Sequence, residues 1–146
     1  MQEITLKAFI PKPAMYLLRL FAEYTHVERL HAHRNVWVEP LYEKDDVSIC
    51  LWHIKVLGKV RTSRQLQIVY PEELKFVNET MSGFGRGTLD TVTMKETEKG
   101  TEIIDEIQIR LPWYLFWMEP LVARFTRQFS TGFYEDHLKD ETKDNN

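Results

Sequence analysis

The hydrophobic pattern begins with alternation of apolar and polar residues over positions 2–10, which is typical of a half-buried strand. The apolar positions are Ile4, Leu6, Ala8 and Ile10. Pro11 and Pro13 end this strand, and a proline there suits the first turn of a helix over residues 14–21. Residues Thr25–Glu28 have the spacing of a capping box, which predicts a second short helix ending near His31.

From Arg34 to Arg110 the pattern predicts about six strands separated by polar turns. In the strand that follows Gly58, Leu66 and Ile68 share a parity with Arg64, so we expect this parity to face inward. The next strand begins an inward row at Leu74 and Phe76, which continues with Asn78.

The last two predicted strands form a hairpin around the turn at residues 96–100. Antiparallel pairing across this turn predicts that Met94 lies opposite Ile103, Val92 opposite Asp105 and Asp90 opposite Ile107. On this register the inward face of the hairpin is apolar apart from Thr88, Asp90 and Asp105.

After the hairpin come an aromatic turn, Pro112–Trp117, and a long helix predicted from Pro120 to Lys139. The apolar positions of the helix recur at spacings of three and four and predict one buried stripe. They are Met118, Leu121, Val122, Phe125, Phe129, Gly132 and Phe133. Residues 140–146 are polar, and we expect a disordered tail there.

Composition narrows the class of protein. The chain has 146 residues, 43% hydrophobic and 28% charged, so we expect one globular ligand-binding domain over residues 1–139. The net charge of −3 predicts no binding to nucleic acid. The start has no signal-peptide pattern, no segment is long enough to span a membrane, and Cys50 is the single cysteine. These features predict a cytoplasmic protein.

One part of the sequence resembles a known family. The segment Gly100–Pro112 reads GTEIIDEIQIRLP, and the aromatic turn and the arginine-bearing helix segment Leu121–Phe125 follow it. This resembles the START-like helix-grip superfamily (SRPBCC), most closely its polyketide cyclase/dehydrase and lipid-transport-like branch. The resemblance implies an α+β helix-grip fold, in which a curved antiparallel sheet of about seven strands wraps a long C-terminal helix, with two short helices after strand 1. It also implies a cavity for a small hydrophobic or aromatic molecule between sheet and helix.

Four polar residues are predicted on the inward face of the sheet: Arg64, Asn78, Asp90 and Asp105. A buried carboxylate is costly without a partner, and Arg64 is the predicted partner of Asp105. Two interpretations stay open, an internal salt-bridge or water network, and groups that orient a ligand or transfer a proton. The candidate catalytic residues are Asp105, Asp90 and Arg64. The candidate ligand-binding residues are Arg64, Leu66, Phe76, Asn78, Asp90, Asp105, Ile107, Trp113, Trp117, Phe125 and Phe129.

Two other motifs have simpler interpretations. His26, His31 and His33 have no cysteine or carboxylate at a matching ligand spacing, so we expect solvated surface histidines, no metal and no cofactor. Gly83, Gly85 and Gly87 precede a strand, whereas a phosphate-binding loop precedes a helix, so we expect them to permit sheet curvature.

Three functions stay open at this stage. The first is binding or carriage of a small hydrophobic or aromatic molecule. The alternative is a polyketide cyclase or dehydratase acting in the same cavity, and a third is a partner-binding module that uses the Trp113–Trp117 turn. Four large rings in five residues are too many to bury in a domain of this size, so this turn is a candidate lid or a contact for a membrane or a partner. The sequence is compatible with a monomer or a homodimer.

Overall fold

The computed structural model describes residues 2–83 and 85–143 of the chain. The strands are β1 (Gln2–Ile10), β2 (Val36–Lys44), β3 (Val47–Val56), β4 (Lys59–Tyr70), β5 (Lys75–Thr80), β6 (Leu89–Thr97) and β7 (Gly100–Ile109). The helices are α1 (Ala14–Ala22), α2 (Thr25–His31) and α3 (Glu119–Thr142). Short 3₁₀ turns occupy Ala32–Arg34, Pro71–Glu73 and Trp113–Met118.

Within the described residues, seven strands form one curved antiparallel sheet in the order β1-β7-β6-β5-β4-β3-β2. Helices α1 and α2 connect the two edge strands, β1 and β2. Helix α3 packs on β1 and on α2. The predicted α+β helix-grip fold is therefore confirmed.

The hairpin of β6 and β7 has the register that the sequence predicted. Met94 lies opposite Ile103, Val92 opposite Asp105 and Asp90 opposite Ile107. The alternation of β7 buries Asp105 in the same row as its isoleucines, and this carboxyl residue is only 3% exposed.

The predicted inward face of β4 is wrong. Gln67 and Val69 are buried, whereas Arg64 is exposed and Leu66 half-buried. Pairing decides this parity, since Gln67 lies opposite Asn78 and Val69 lies opposite the buried Phe76 of β5. Residues paired across neighbouring strands point to the same face of a sheet, so the inward side chains of β5 oblige Gln67 and Val69 to face inward too.

The predicted stripe of α3 is only partly buried. Leu121 is 63% exposed and Phe125 is 43% exposed. In the first half of the helix, the buried face is therefore not the face that the sequence pattern predicts. There Ala123 is buried instead, against Ile4 and Ile107.

Helix α3 also continues past Lys139, where we expected a polar tail, to Thr142. Glu141 is buried, and its Oε1 accepts a hydrogen bond of 2.9 Å from the Tyr16 hydroxyl. Residues 144–146 of the predicted tail lie outside the described residues.

The buried side chains of the described residues form three clusters around the sheet, and residues of α3 belong to or pack against each of them. Ile10, Leu17, Leu18 and Phe76 belong to one that joins α1 to the sheet. Val27, Val36 and Cys50 belong to another, between α2 and the β2–β3 edge, with Phe129 and Phe133 of α3 packed against it. In the described part of the chain, no helix is long and apolar enough to cross a membrane.

Candidate functional site

A cavity of about 210 Å³ lies between the sheet and helix α3. Its apolar wall is largely aromatic and comes from α1, β3, β5 and α3. The rings are those of Phe21, Trp52, Phe76, Phe129 and Phe133. Phe129 and Phe133 lie one turn apart on α3, with ring centres 4.6 Å from each other.

The sheet contributes a polar strip to the same cavity. Gln67, Asn78 and Asp90 lie side by side on β4, β5 and β6, as the register of these strands shows. Asp105 lies on β7, and Gln65 precedes Gln67 by two residues on β4. Because neighbours on one face of a sheet are close enough to interact, hydrogen-bonding groups run across this wall of the cavity.

Asp90 and Asp105 form a buried carboxyl pair. The Oδ1 atom of each is buried, and neither receives a hydrogen bond from another described residue. Burial raises the pKa of Asp90 well above its ordinary value, and a hydrogen bond with Asp105 and the charge of that neighbour raise it further. Two adjacent carboxylates do not readily ionise together in such a site, and both residues line the cavity.

Tyr134 of α3 completes this group from the helix side. Its hydroxyl donates a hydrogen bond of 2.7 Å to Oδ2 of Asp105. Burial raises the pKa of Tyr134 well above its ordinary value, and the charges of Asp105 and Asp90 add to the shift. The phenol therefore remains a hydrogen-bond donor, and it joins helix and sheet across the cavity.

The prediction that His26 and His31 lie on the surface is wrong. His26 is 7% exposed and His31 is fully buried, because α2 lies between β2 and α3. His137 of α3 joins them, and His26 and His137 line the cavity. Burial lowers the pKa of His26 to about 4 and, together with the charges of His26 and His31, that of His137 to about 2. Burial also lowers the pKa of His31.

The structure brings five of the predicted ligand-binding residues to the cavity wall: Phe76, Asn78, Asp90, Asp105 and Phe129. It does not bring the others there. Ile107 is buried in the packing against α3, while Leu66 and Arg64 fall on the wrong parity of β4. Trp113, Trp117 and Phe125 are exposed.

The predicted pairing of Asp105 with Arg64 is also wrong. Arg64 lies on the opposite face of the sheet, so its guanidinium cannot reach the inward row. Asp105 instead receives its hydrogen bond from Tyr134.

Sequence reasoning missed several residues that line the cavity, among them Gln65, Gln67, Ser130, Tyr134 and His137. The alternation of β4 predicts the outer face for both glutamines, because polar residues favour solvent. Ser130, Tyr134 and His137 have the spacing of one helix face, and this signal was present in the sequence beside the aromatic stripe.

The aromatic turn before α3 is open to solvent. Trp113 is 86% exposed, Tyr114 59%, Phe116 69% and Trp117 61%. The expectation that this turn could not be wholly buried therefore agrees with the structure. A transient membrane contact through these rings stays a prediction, as does the choice between monomer and homodimer.

Comparison with known proteins identifies the fold and no more than the fold. The sequence matches no family model and no curated protein. Among solved structures, the Zhui aromatase/cyclase from Streptomyces sp. R1128 is similar, with a TM-score of 0.79 and 9% identity over 97% of this chain and 94% of its own. A START superfamily protein from Mycobacterium smegmatis has a TM-score of 0.79 and 8% identity over 97% of both chains. The major latex-like protein 151 from Panax ginseng has a TM-score of 0.70 and 10% identity over 94% of this chain and 97% of its own. The chain thus has the same helix-grip fold as these proteins.

Proposed function

We propose that the protein binds a small aromatic or hydrophobic molecule in the cavity between the sheet and α3. The observation that carries this proposal is the combination of aromatic walls with a polar strip that ends in the buried pair Asp90 and Asp105. Ligand sites are typically mostly apolar, with a few polar groups that set orientation. The fold supports the proposal, because its structural neighbours include START-type and aromatase/cyclase proteins.

The size of the cavity limits the ligand. An apolar cavity of about 150 Å³ accommodates benzene, so about 210 Å³ suits a ligand of one or two rings. Sites for drug-sized ligands are larger, at about 300–1,000 Å³. A long acyl chain or a four-ring polyketide would require the cavity to open further. We therefore expect a compact ring compound with a hydrogen-bonding group directed at Asp90 and Asp105.

The first experiment identifies what the native protein carries. Mass spectrometry of the untagged protein, sprayed first under native and then under denaturing conditions, would reveal a co-purified small molecule. Phenol, naphthol and indole are then suitable probes for calorimetric titration, since each has one or two rings and a hydrogen-bonding group. We expect at least one of them to bind with one molecule per chain.

A cavity-filling variant tests the location of the site. Ser130→Phe adds a ring to a half-buried position on the cavity wall, and Gln128→Phe adds the same ring at an exposed position of the same helix. We expect Ser130→Phe to abolish probe binding and Gln128→Phe to retain it, with both proteins folded by circular dichroism. Equal binding by both variants would show that the ligand lies elsewhere.

A second candidate function is proton transfer to or from the bound molecule, as in a cyclase or dehydratase. The position of Asp90 on the cavity wall and its raised pKa favour it, because a carboxylic acid with a raised pKa is a better proton donor to a substrate at higher pH than an ordinary one. Tyr134 would hold Asp105 in place during such a transfer. Turnover of a co-purified ligand, lost in folded Asp90→Asn or Asp105→Asn protein that still binds the ligand, would establish catalysis. Unchanged turnover in both variants would exclude a role for the pair.

A further inference from the structure

Three buried histidines converge at the end of the cavity where α2 meets α3. Their relative exposures are 7% for His26, 0% for His31 and 3% for His137. One potential ligand nitrogen from each ring lies within 4.8 Å of the other two. The Nε2 atoms of His31 and His137 are 3.2 Å apart. His26 and His31 lie on α2, whereas His137 lies on α3, 106 positions after His31, so the convergence of α2 and α3 at this point is a property of the fold.

Hydrogen bonding assigns the tautomers of two of the rings. Nδ1 of His26 faces the backbone carbonyl oxygen of Glu23, which can only accept a hydrogen bond. Nδ1 of His31 faces the Asp136 carboxylate at 3.0 Å. Arg34 donates hydrogen bonds to both oxygens of the same carboxylate, so Asp136 is an acceptor toward His31. Both rings therefore carry their proton on Nδ1, and Nε2 of each keeps a lone pair.

The spacing of the rings matches that of ligands around one ion. Tetrahedral zinc binds histidine nitrogens at about 2.0–2.1 Å, which places two such nitrogens about 3.3 Å apart. The observed Nε2 separation of His31 and His137 is 3.2 Å. The ring centres form a nearly equilateral triangle with sides of 4.9, 5.0 and 5.3 Å. Three imidazoles on one tetrahedral ion would have centres about 5 Å apart by the same geometry.

The surroundings of His31 are those of a metal ligand. Histidine ligands usually donate their second nitrogen to a carboxylate or a carbonyl, which fixes the ring. Asp136 does this for His31, and Arg34 holds Asp136 with two hydrogen bonds of 2.7 and 3.0 Å. The Glu23 carbonyl does the same for His26. The two rings are thus oriented by groups outside the cluster.

A hydrogen-bonded cluster without an ion accounts less well for these contacts. In that state His137 donates from Nε2 to Nε2 of His31 at 3.2 Å, and this is the hydrogen bond that joins the rings. Without an ion, all three imidazoles lose their contact with water and gain one hydrogen bond between the rings, which is unfavourable.

We propose that His26, His31 and His137 bind one divalent first-row transition-metal ion, with zinc the first candidate. Three neutral imidazoles without a thiolate suit zinc, and cobalt or nickel as its substitutes. Because His26 and His137 line the cavity, a fourth coordination position would face the bound molecule. Three protein ligands with one open position is the arrangement of catalytic rather than structural zinc sites. This proposal does not depend on whether an organic ligand binds.

The test uses untagged protein that has been treated with a chelator and dialysed. Titration with zinc chloride by calorimetry is expected to show one ion per chain and a raised melting temperature. Titration with cobalt chloride is expected to produce the intense visible absorption of a tetrahedral site. In long-range ¹H–¹⁵N spectra, zinc should shift the Nε2 resonances of the three histidines and leave those of His53 unchanged. A native protein that takes up neither ion, or whose three histidine resonances do not respond, would overturn the proposal.

Substitutions locate the site. We expect His26→Gln and His137→Gln to lower zinc affinity by more than 100-fold. We expect Asp136→Asn, which alters only the partner of a ligand, to lower it by about 10–100-fold. His53→Gln is the matched control, because His53 lies on β3, where its Nδ1 is 2.8 Å from the Thr62 hydroxyl. Affinity unchanged in folded His26→Gln and His137→Gln proteins would overturn the assignment, and if these variants do not fold, the spectra of the native protein decide.

Discussion

The substitution Gly132→Ala tests how closely helix α3 depends on Arg34. Gly132 is buried on α3, and a β-carbon built there would overlap the Nη1 and Cζ atoms of Arg34. The guanidinium passes over the glycine to reach Asp136. An alanine should therefore displace Arg34 and break its double hydrogen bond to Asp136.

Two opposing contributions decide the sign of the effect. Alanine is favoured over glycine in a helix interior by about 1 kcal/mol. The side chain of Asp136 is 9% exposed and that of Arg34 is 28% exposed. Hydrogen bonds to charged groups contribute about 1.5–3 kcal/mol to stability. Because Arg34 is partly exposed and Asp136 keeps its contact with His31, we expect the loss of the Arg34–Asp136 hydrogen bonds to cost about 2 kcal/mol. We expect Gly132→Ala to lower the free energy of unfolding by about 1 kcal/mol.

Urea denaturation of a double-mutant cycle measures this coupling, with a chelator present throughout. In an Arg34→Ala background the overlap is gone, so Gly132→Ala should raise the free energy of unfolding by about 1 kcal/mol. The sign should therefore reverse between the two backgrounds. If Gly132→Ala stabilises the protein equally in the native and the Arg34→Ala backgrounds, the absence of a side chain at position 132 is not required for Arg34 to reach Asp136.

Three further predictions concern the carboxyl pair and the packing of the helix. The raised pKa of Asp90 means that its contribution to stability is full below its unfolded value of about 4 and is lost as pH rises through the folded value. Asp90→Asn should thus gain stability relative to the native protein between about pH 4 and neutrality, and a difference that falls with pH in urea melts would contradict this. Tyr134→Phe removes the donor to Asp105 and should cost about 1–3 kcal/mol; an unchanged melting curve would show that the hydrogen bond contributes nothing. Phe125→Ala should cost less than about 1 kcal/mol because the ring is 43% exposed, whereas Phe76→Ala should cost about 3–5 kcal/mol. Similar losses for the two phenylalanines would show that Phe125 is packed.

Local sequence pattern determined the order of elements and the β6–β7 hairpin. The register followed from a short turn between two alternating strands, because a tight antiparallel turn leaves little freedom in pairing. For this reason the sequence alone predicts that Asp90 and Asp105 lie on the inward face of the sheet, and both line the cavity. The resemblance to the helix-grip family implied the curved sheet and the long helix, both of which are present.

Tertiary structure alone decided which face of β4 and which side of α3 are buried. The inward side chains of β4 include Gln65 and Gln67 because they line a cavity, and a cavity wall accepts polar groups that a packed core does not. The sequence pattern instead predicts that the face of β4 with Leu66 and Ile68 lies inward. Leu121 and Phe125 are largely exposed because α3 covers β1 in its first half through Ala123, and the ring of Phe125 stacks on Phe129 of the same helix.

The histidine cluster shows most clearly which features depend on local sequence and which depend on long-range packing. His31 and His137 are separated by 106 positions along the chain, and no local spacing relates them. Their meeting depends on α2 being placed between β2 and α3, which is a consequence of sheet curvature and helix packing. Sequence alone determined that these histidines exist; long-range packing decided that they are buried, oriented and together.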